Sequence, residues 1–151
     1  MISRFLLRSL GVVSLLVSAG AAEVPDPLRP LRWQHRVLVL YVPEHPRGKH
    51  VLATWEASLR REKSGLADRD LVVLHAGPIP EKTPGYALPL TVAQKALLRQ
   101  RLQLGGPEPQ VVLLGKDGTV KRRQKTERLD LAALFALIDT MPMRQEEMRR
   151  R

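Results

Sequence analysis

The chain predicts a single α/β domain of order βαβαββα, with a mixed central sheet and helices on both faces. Three observations carry that expectation. Arg36 to Val42 and Leu71 to His75 are aliphatic runs without polar alternation, the pattern of strands buried on both faces. Between them lies an amphipathic stretch of about four turns, the composition of a right-handed βαβ unit with parallel strands. Later, Asp117-Gly118 separates two more strand-like runs, a hairpin signal because glycine accepts the positive φ such turns need.

The N-terminus carries Arg4 and Arg8, an apolar run from Leu10 to Val17, and the small residues Ser18 to Ala22. This is the three-part layout of a secretory signal peptide, with cleavage expected after Ala21 or Ala22. The apolar run is shorter than the ~20 residues that span hydrocarbon, so no stable membrane span is expected after cleavage. The expected location is periplasmic or secreted. The chain has no cysteine, which excludes disulfides, a lipid anchor on cysteine and thiolate chemistry. The mature part, about 129 residues, must therefore rest on its hydrophobic core, and that length suffices for one domain.

Residues 23–34 read as an extended lead-in, because Pro25, Pro27 and Pro30 lack backbone donors, with Trp33 docking it on the domain. The domain is expected over residues 35–142. Pro43 ends the first strand, and Val51, Leu52, Trp55 and Leu59 then recur at helical spacing in a helix ending near Gly65. After the second strand, Gly77 to Pro89 is a proline-rich loop of a length that is uncommon inside a compact domain. Thr91 and Gln94 have capping-box spacing, and the helix they open is stopped by Gly105-Gly106-Pro107. Gln110 to Leu114 and Thr119 to Arg123 form the hairpin. Asp130 caps a last helix with Leu131, Leu134, Phe135 and Ile138 on one face, and Pro142 terminates it. Residues 143–151 are left as a basic tail. This order of elements is thioredoxin-like.

With that order in hand, four strings are familiar: Arg36-Val37-Leu38-Val39, Arg69-Asp70-Leu71-Val72-Val73, Leu114-Gly115-Lys116-Asp117-Gly118, and Ile138-Asp139-Thr140-Met141-Pro142-Met143-Arg144 with Glu147 beyond. Through them the chain resembles a family of short exported bacterial proteins of unknown function. Their thioredoxin-like domain also occurs in the sushi-repeat-containing extracellular proteins of vertebrates. The resemblance implies a thioredoxin- or peroxiredoxin-like fold, for which redox activity has been proposed by analogy. It marks Arg69, Asp70, Gly115, Lys116, Asp117, Gly118, Asp139, Met141, Pro142, Met143, Arg144 and Glu147 as family positions with a structural role. Pro109 stands roughly where a thioredoxin has its cis-proline.

A fold does not carry its chemistry with it. The loop where a thioredoxin keeps its cysteine pair here reads Pro43-Glu44-His45-Pro46-Arg47-Gly48-Lys49-His50. Cations beside a helix start suggest an anion site formed by His45, Arg47, Lys49 and His50. A metal on His45, His50 and Glu44 lacks a third firm ligand in any recognised spacing. Met141, Met143 and Met148 have the softness Cu(I) selects, yet they also read as fillers of a helix end. No cofactor and no metal are expected, and Asp139, Arg144 and Glu147 are read as a salt-bridged clasp around Pro142.

Arginine outnumbers lysine 18 to 7, with clusters at Lys121 to Lys125 and Arg149 to Arg151. Export removes nucleic acid as a partner and leaves an acidic envelope protein, an anionic membrane surface or a solvated surface with no dedicated partner. The function expected is a thiol-free binding module of unknown ligand. The alternative is a non-thiol enzyme or stress accessory, a decayed peroxiredoxin-like oxidoreductase.

Overall fold

A computed structural model describes residues 22–79 and 85–150. Residues 1–21, most of the segment expected to be a signal peptide, and Pro80 to Pro84 of the proline-rich loop lie outside the described residues. Four strands, β1 (Arg36–Tyr41), β2 (Leu71–His75), β3 (Gln110–Leu114) and β4 (Val120–Lys125), form one sheet in the order β2-β1-β3-β4. β1 is parallel to β2 and antiparallel to β3, which pairs antiparallel with β4. This is the expected mixed, thioredoxin-like arrangement.

Strand periodicity splits the core in two. One set of alternate side chains, Leu38, Leu40, Val73, Val111 and Leu113, packs under helices α1 (Pro46–Arg61), α2 (Lys63–Asp68) and α4 (Leu131–Asp139). The other set, Val37, Val39, Tyr41, Leu74, Val112 and Leu114, packs under α3 (Val92–Leu102) and the lead-in residues Leu28 and Leu31. Every residue of β1 and β3 is buried, as expected of central strands whose apolar runs do not alternate with polar residues. Trp55, fully buried, donates its indole N–H to the Glu127 carbonyl at 2.9 Å and so ties α1 to the β4–α4 connection.

Local signals explain most boundaries. Thr91 and Gln94 form the reciprocal capping box of α3, and the Asp130 carboxylate accepts from the Ala133 amide at the start of α4. The hairpin turns through Gly115 to Gly118, closed by the Gly118 N–H to Gly115 carbonyl bond at 2.9 Å, with Gly118 at φ +78°.

The structure departs from the sequence reading at five places. The first helix does not run on to Gly65: α1 stops at Arg61 and α2 begins after Glu62. Gly65 lies inside α2, where Phe135 presses so close that a Cβ would sit 2.7 Å from its ring. The lead-in is not wholly extended, since Arg29–Leu31 makes a 3₁₀ turn with Pro30 in its first positions. Trp33 docks it through the backbone and not the ring: its backbone N–H donates to the Lys116 carbonyl at 2.6 Å while the residue is 65% exposed, and Leu28 and Leu31 supply the buried contacts. α3 ends at Leu102, before the glycines, because Gln103 takes the left-handed conformation. Finally, residues beyond Pro142 are not a tail. Pro142 opens a further helix, α5 (Pro142–Arg149), its fixed φ suiting a first helical position where no donor is needed. No described peptide bond is cis, so Pro109 is trans.

Candidate functional site

The sheet has two ends, and the candidate residues divide between them. At the Tyr41 end, Pro43 to His50 turns from β1 into α1. His45 is the N-cap: its Nδ1 accepts from the Gly48 amide at 2.9 Å, and Pro46 fills the first helical position. Gly48 is required by close approach, since a Cβ there would lie 2.2 Å from the Pro43 carbonyl oxygen. Arg47 reaches away to Glu127, its Nε at 2.8 Å from one carboxylate oxygen and a terminal nitrogen at 2.8 Å from the other. Lys49 and His50 are exposed. Thus two of the four anion-loop residues engage the protein itself and two face solvent, and one of the first-turn amides, that of Gly48, already has an acceptor.

The Arg36 end is different. Arg36 opens β1 with a side chain only 1% exposed and splits its guanidinium between the Arg69 carbonyl (2.9 Å) and both oxygens of Glu147 (3.1 and 3.2 Å). Lys116, in the hairpin turn, bonds Glu147 at 2.7 Å and Asp70 at 2.8 Å. Arg69 meets Asp139 at 2.6 Å and stacks 4.4 Å over the Phe135 ring. Arg144, 3% exposed, joins Asp139 at 3.0 Å, the carbonyl of Asp68 at 2.6 Å, and the Asp68 carboxylate. Arg144 also lies 4.0 Å from Glu147. Each charge is paired, which is the condition for burial.

The expected clasp of Asp139, Arg144 and Glu147 is therefore present, but it is a fraction of a larger network that straps α5 across the ends of β1, β2 and β3. Burial by itself would raise the Glu147 carboxyl, yet hydrogen bonds from Arg36 and Lys116 hold it below the ordinary carboxylate value. Asp139 is treated alike: burial raises it, and Arg69 and Arg144 outweigh that. Asp117 is lowered mainly by its hydrogen bond from Lys121.

Beside the network lies a cleft of about 380 Å³ between the hairpin turn and the α4–α5 junction. Gly115, Lys116, Asp117 and Lys121 line one side, Thr140, Met141, Pro142 and Met143 the other, and Arg36 also contributes. Its size falls at the lower end of small-ligand sites, and its lining, largely apolar with a few charged groups, suits one. Met141 and Met143 share it, but its lining adds neither a third thioether nor an imidazole for Cu(I).

All four strings that carry the resemblance meet at this end. Every charged residue in them, Arg36, Arg69, Asp70, Lys116, Asp117, Asp139, Arg144 and Glu147, is in the network or lines the cleft. The model of a family described as a domain of unknown function, DUF4174, matches residues 27–147. The chain belongs to that family. No curated protein matches it.

In this DUF4174 domain, sequence reasoning missed Arg36 as a buried ion and Lys121 as a cleft residue. The first had a signal: an arginine heading a strand that is otherwise apolar on both faces must find a buried partner. Asp68 had none, since an acid near a helix end is ordinary.

Proposed function

We propose that this DUF4174 domain is a thiol-free binding module of an exported protein, and that its ligand site is the cleft between the hairpin turn and the α4–α5 junction. The observation that carries the reading is that three of the four family strings line one cavity of ligand size, while the fourth, through Asp70, pairs with Lys116 in its wall. The Pro43 to His50 loop is the weaker candidate, because His45 and Arg47 are committed to Gly48 and Glu127. The kinship with sushi-repeat domains belongs to the same proposal and is supported by the fold and the strings alone. So does export, supported by the signal-like N-terminus.

The lining points to a ligand with an apolar body and an anionic end: methionine and proline stand on one wall and the Lys116 and Lys121 ammonium groups on the other. Lys116 spends two of its three donors on Asp70 and Glu147 and Lys121 one on Asp117, so that each keeps a donor for a ligand. Octanoate is a suitable probe. Titrated into the mature protein, it is expected to shift the Met141 and Met143 methyl resonances and the amides of Gly115 to Lys121. Filling the cleft with Met143→Trp is expected to abolish those shifts. Shifts absent from both walls, or unchanged in the filled variant, would exclude the cleft as the site.

A further inference from the structure

The two edges of the sheet are treated oppositely. β2 is covered along its outer side: Val73 bridges Ala87 in parallel, and the Leu88 amide donates to the Val73 carbonyl at 3.1 Å. β4 is bare. Its residues 120–125 make no backbone hydrogen bond outward to any described segment, and all are exposed except the half-buried Gln124. In an antiparallel ladder alternate residues turn their N–H and C=O away from the neighbour, so this edge offers donors and acceptors to another strand.

Charge selects what can use it. β4 carries Lys121, Arg122, Arg123 and Lys125 with no acid. Lys121 is held by Asp117 at 2.8 Å and Lys125 reaches Glu108 at 3.5 Å, whereas Arg122 and Arg123 have no ion pair among the described residues. Their register places them on opposite faces: Arg122 stands opposite Leu113, on the α1 and α4 side, and Arg123 opposite Val112, on the α3 side. A second copy pairing β4 to β4 would set cation against cation, which is destabilising. An acidic strand would meet opposite charge on both faces.

We propose that β4 accepts an extended segment of a partner protein as a fifth strand, and that the segment carries two consecutive acidic residues, one for Arg122 and one for Arg123. The surface shares Lys121 with the ligand cleft, but Arg122 and Arg123 are not in the cleft lining. The cations reject copies of this chain, as edge protection does, and leave the backbone open to a strand of opposite charge.

The test uses the mature chain, isotope-labelled, and an acetylated, amidated hexapeptide, Thr-Val-Glu-Glu-Val-Thr. Amide shifts confined to residues 120–126 are expected. A peptide of the same sequence N-methylated at alternate amides keeps both charges but loses strand donors, and is expected to bind about tenfold more weakly or worse. The double variant Arg122→Glu, Arg123→Glu is expected to lose a similar factor with an unchanged thermal midpoint; these side chains are exposed, and the N-methyl arm stands whether or not that variant folds. Absence of β4 shifts, or equal binding of the N-methylated peptide, would overturn the proposal. So would binding to phosphatidylglycerol vesicles without binding to the peptide, which would assign the cations to a membrane surface.

Discussion

The two ends of one sheet are held by different physics. At the Arg36 end, charged side chains are buried or half-buried, each paired, and they fasten a helix that has few apolar contacts of its own: in α5 the one buried residue is Arg144. At the Tyr41 end, the fit is made by backbone and imidazole, with Gly48 against Pro43 and His45 capping α1, while the charges stay at the surface. Fold analogy would look for function at the Tyr41 end, since that is where a thioredoxin keeps its cysteines. Here that end is closed by its own hydrogen bonds, and the cavity is at the other.

The comparison breaks most sharply at Glu147. Glu147→Ala leaves Arg36, 1% exposed, with a charge and only the Arg69 carbonyl to receive it. Removing one partner of a buried pair costs about 3–5 kcal/mol, so a loss of that size in urea denaturation is expected. Arg36→Met should cost less, because Glu147 is 23% exposed and keeps Lys116 at 2.7 Å. Equal losses from the two variants would mean that the network acts through α5 packing and not through the uncompensated arginine.

Acid separates the two ends by pH. His75, buried at the Tyr41 end of β2, has its pKa lowered from 6.5 to about 4, by burial first and by Lys95 second. A histidine with a depressed folded pKa binds its proton more readily when unfolded, so stability falls as pH drops from 6.5 towards 4. The full loss is about 3 kcal/mol. The Glu147 and Asp139 carboxyls, held low in the fold, stabilise above the ordinary carboxylate range, and that contribution is lost only as pH falls through their folded values. Two unfolding steps in the pH dependence are expected, and His75→Asn should flatten the one between 6.5 and 4 while leaving the more acidic one.

How far each end could be read from sequence follows from the same division. The strands, the capping box at Thr91 and the Asp-Gly hairpin are local signals, set by periodicity and by side chains that bond within a turn, and they stand where the sequence puts them. The network is non-local: Arg36 and Glu147 are 111 residues apart, and no spacing rule joins them. What the sequence offered was a resemblance of strings, which named most of the participants without saying that they touch. Pro142 misled for a physical reason, because proline ends one helix and opens the next by the same fixed φ. The cleft was not legible, since it exists only where the hairpin and the α4–α5 junction approach.

The Tyr41 end supplies the smaller effects. Gly48→Ala would ordinarily favour a helix by up to about 1 kcal/mol, but its Cβ meets a backbone oxygen that cannot swing aside, and a net loss of roughly 1–3 kcal/mol is expected. Arg47→Ala breaks a bidentate pair with Glu127, yet Arg47 is 72% exposed and Glu127 44%, so water replaces each partner cheaply. A change of about 0.2–1 kcal/mol is expected, shrinking further in molar salt. The Trp55 indole bond is to the Glu127 carbonyl and not to its carboxylate, so it survives that substitution. A loss above roughly 2 kcal/mol that persists in salt would show that Arg47 is structural in the manner of Arg36, and the two ends would then be held by one physics after all.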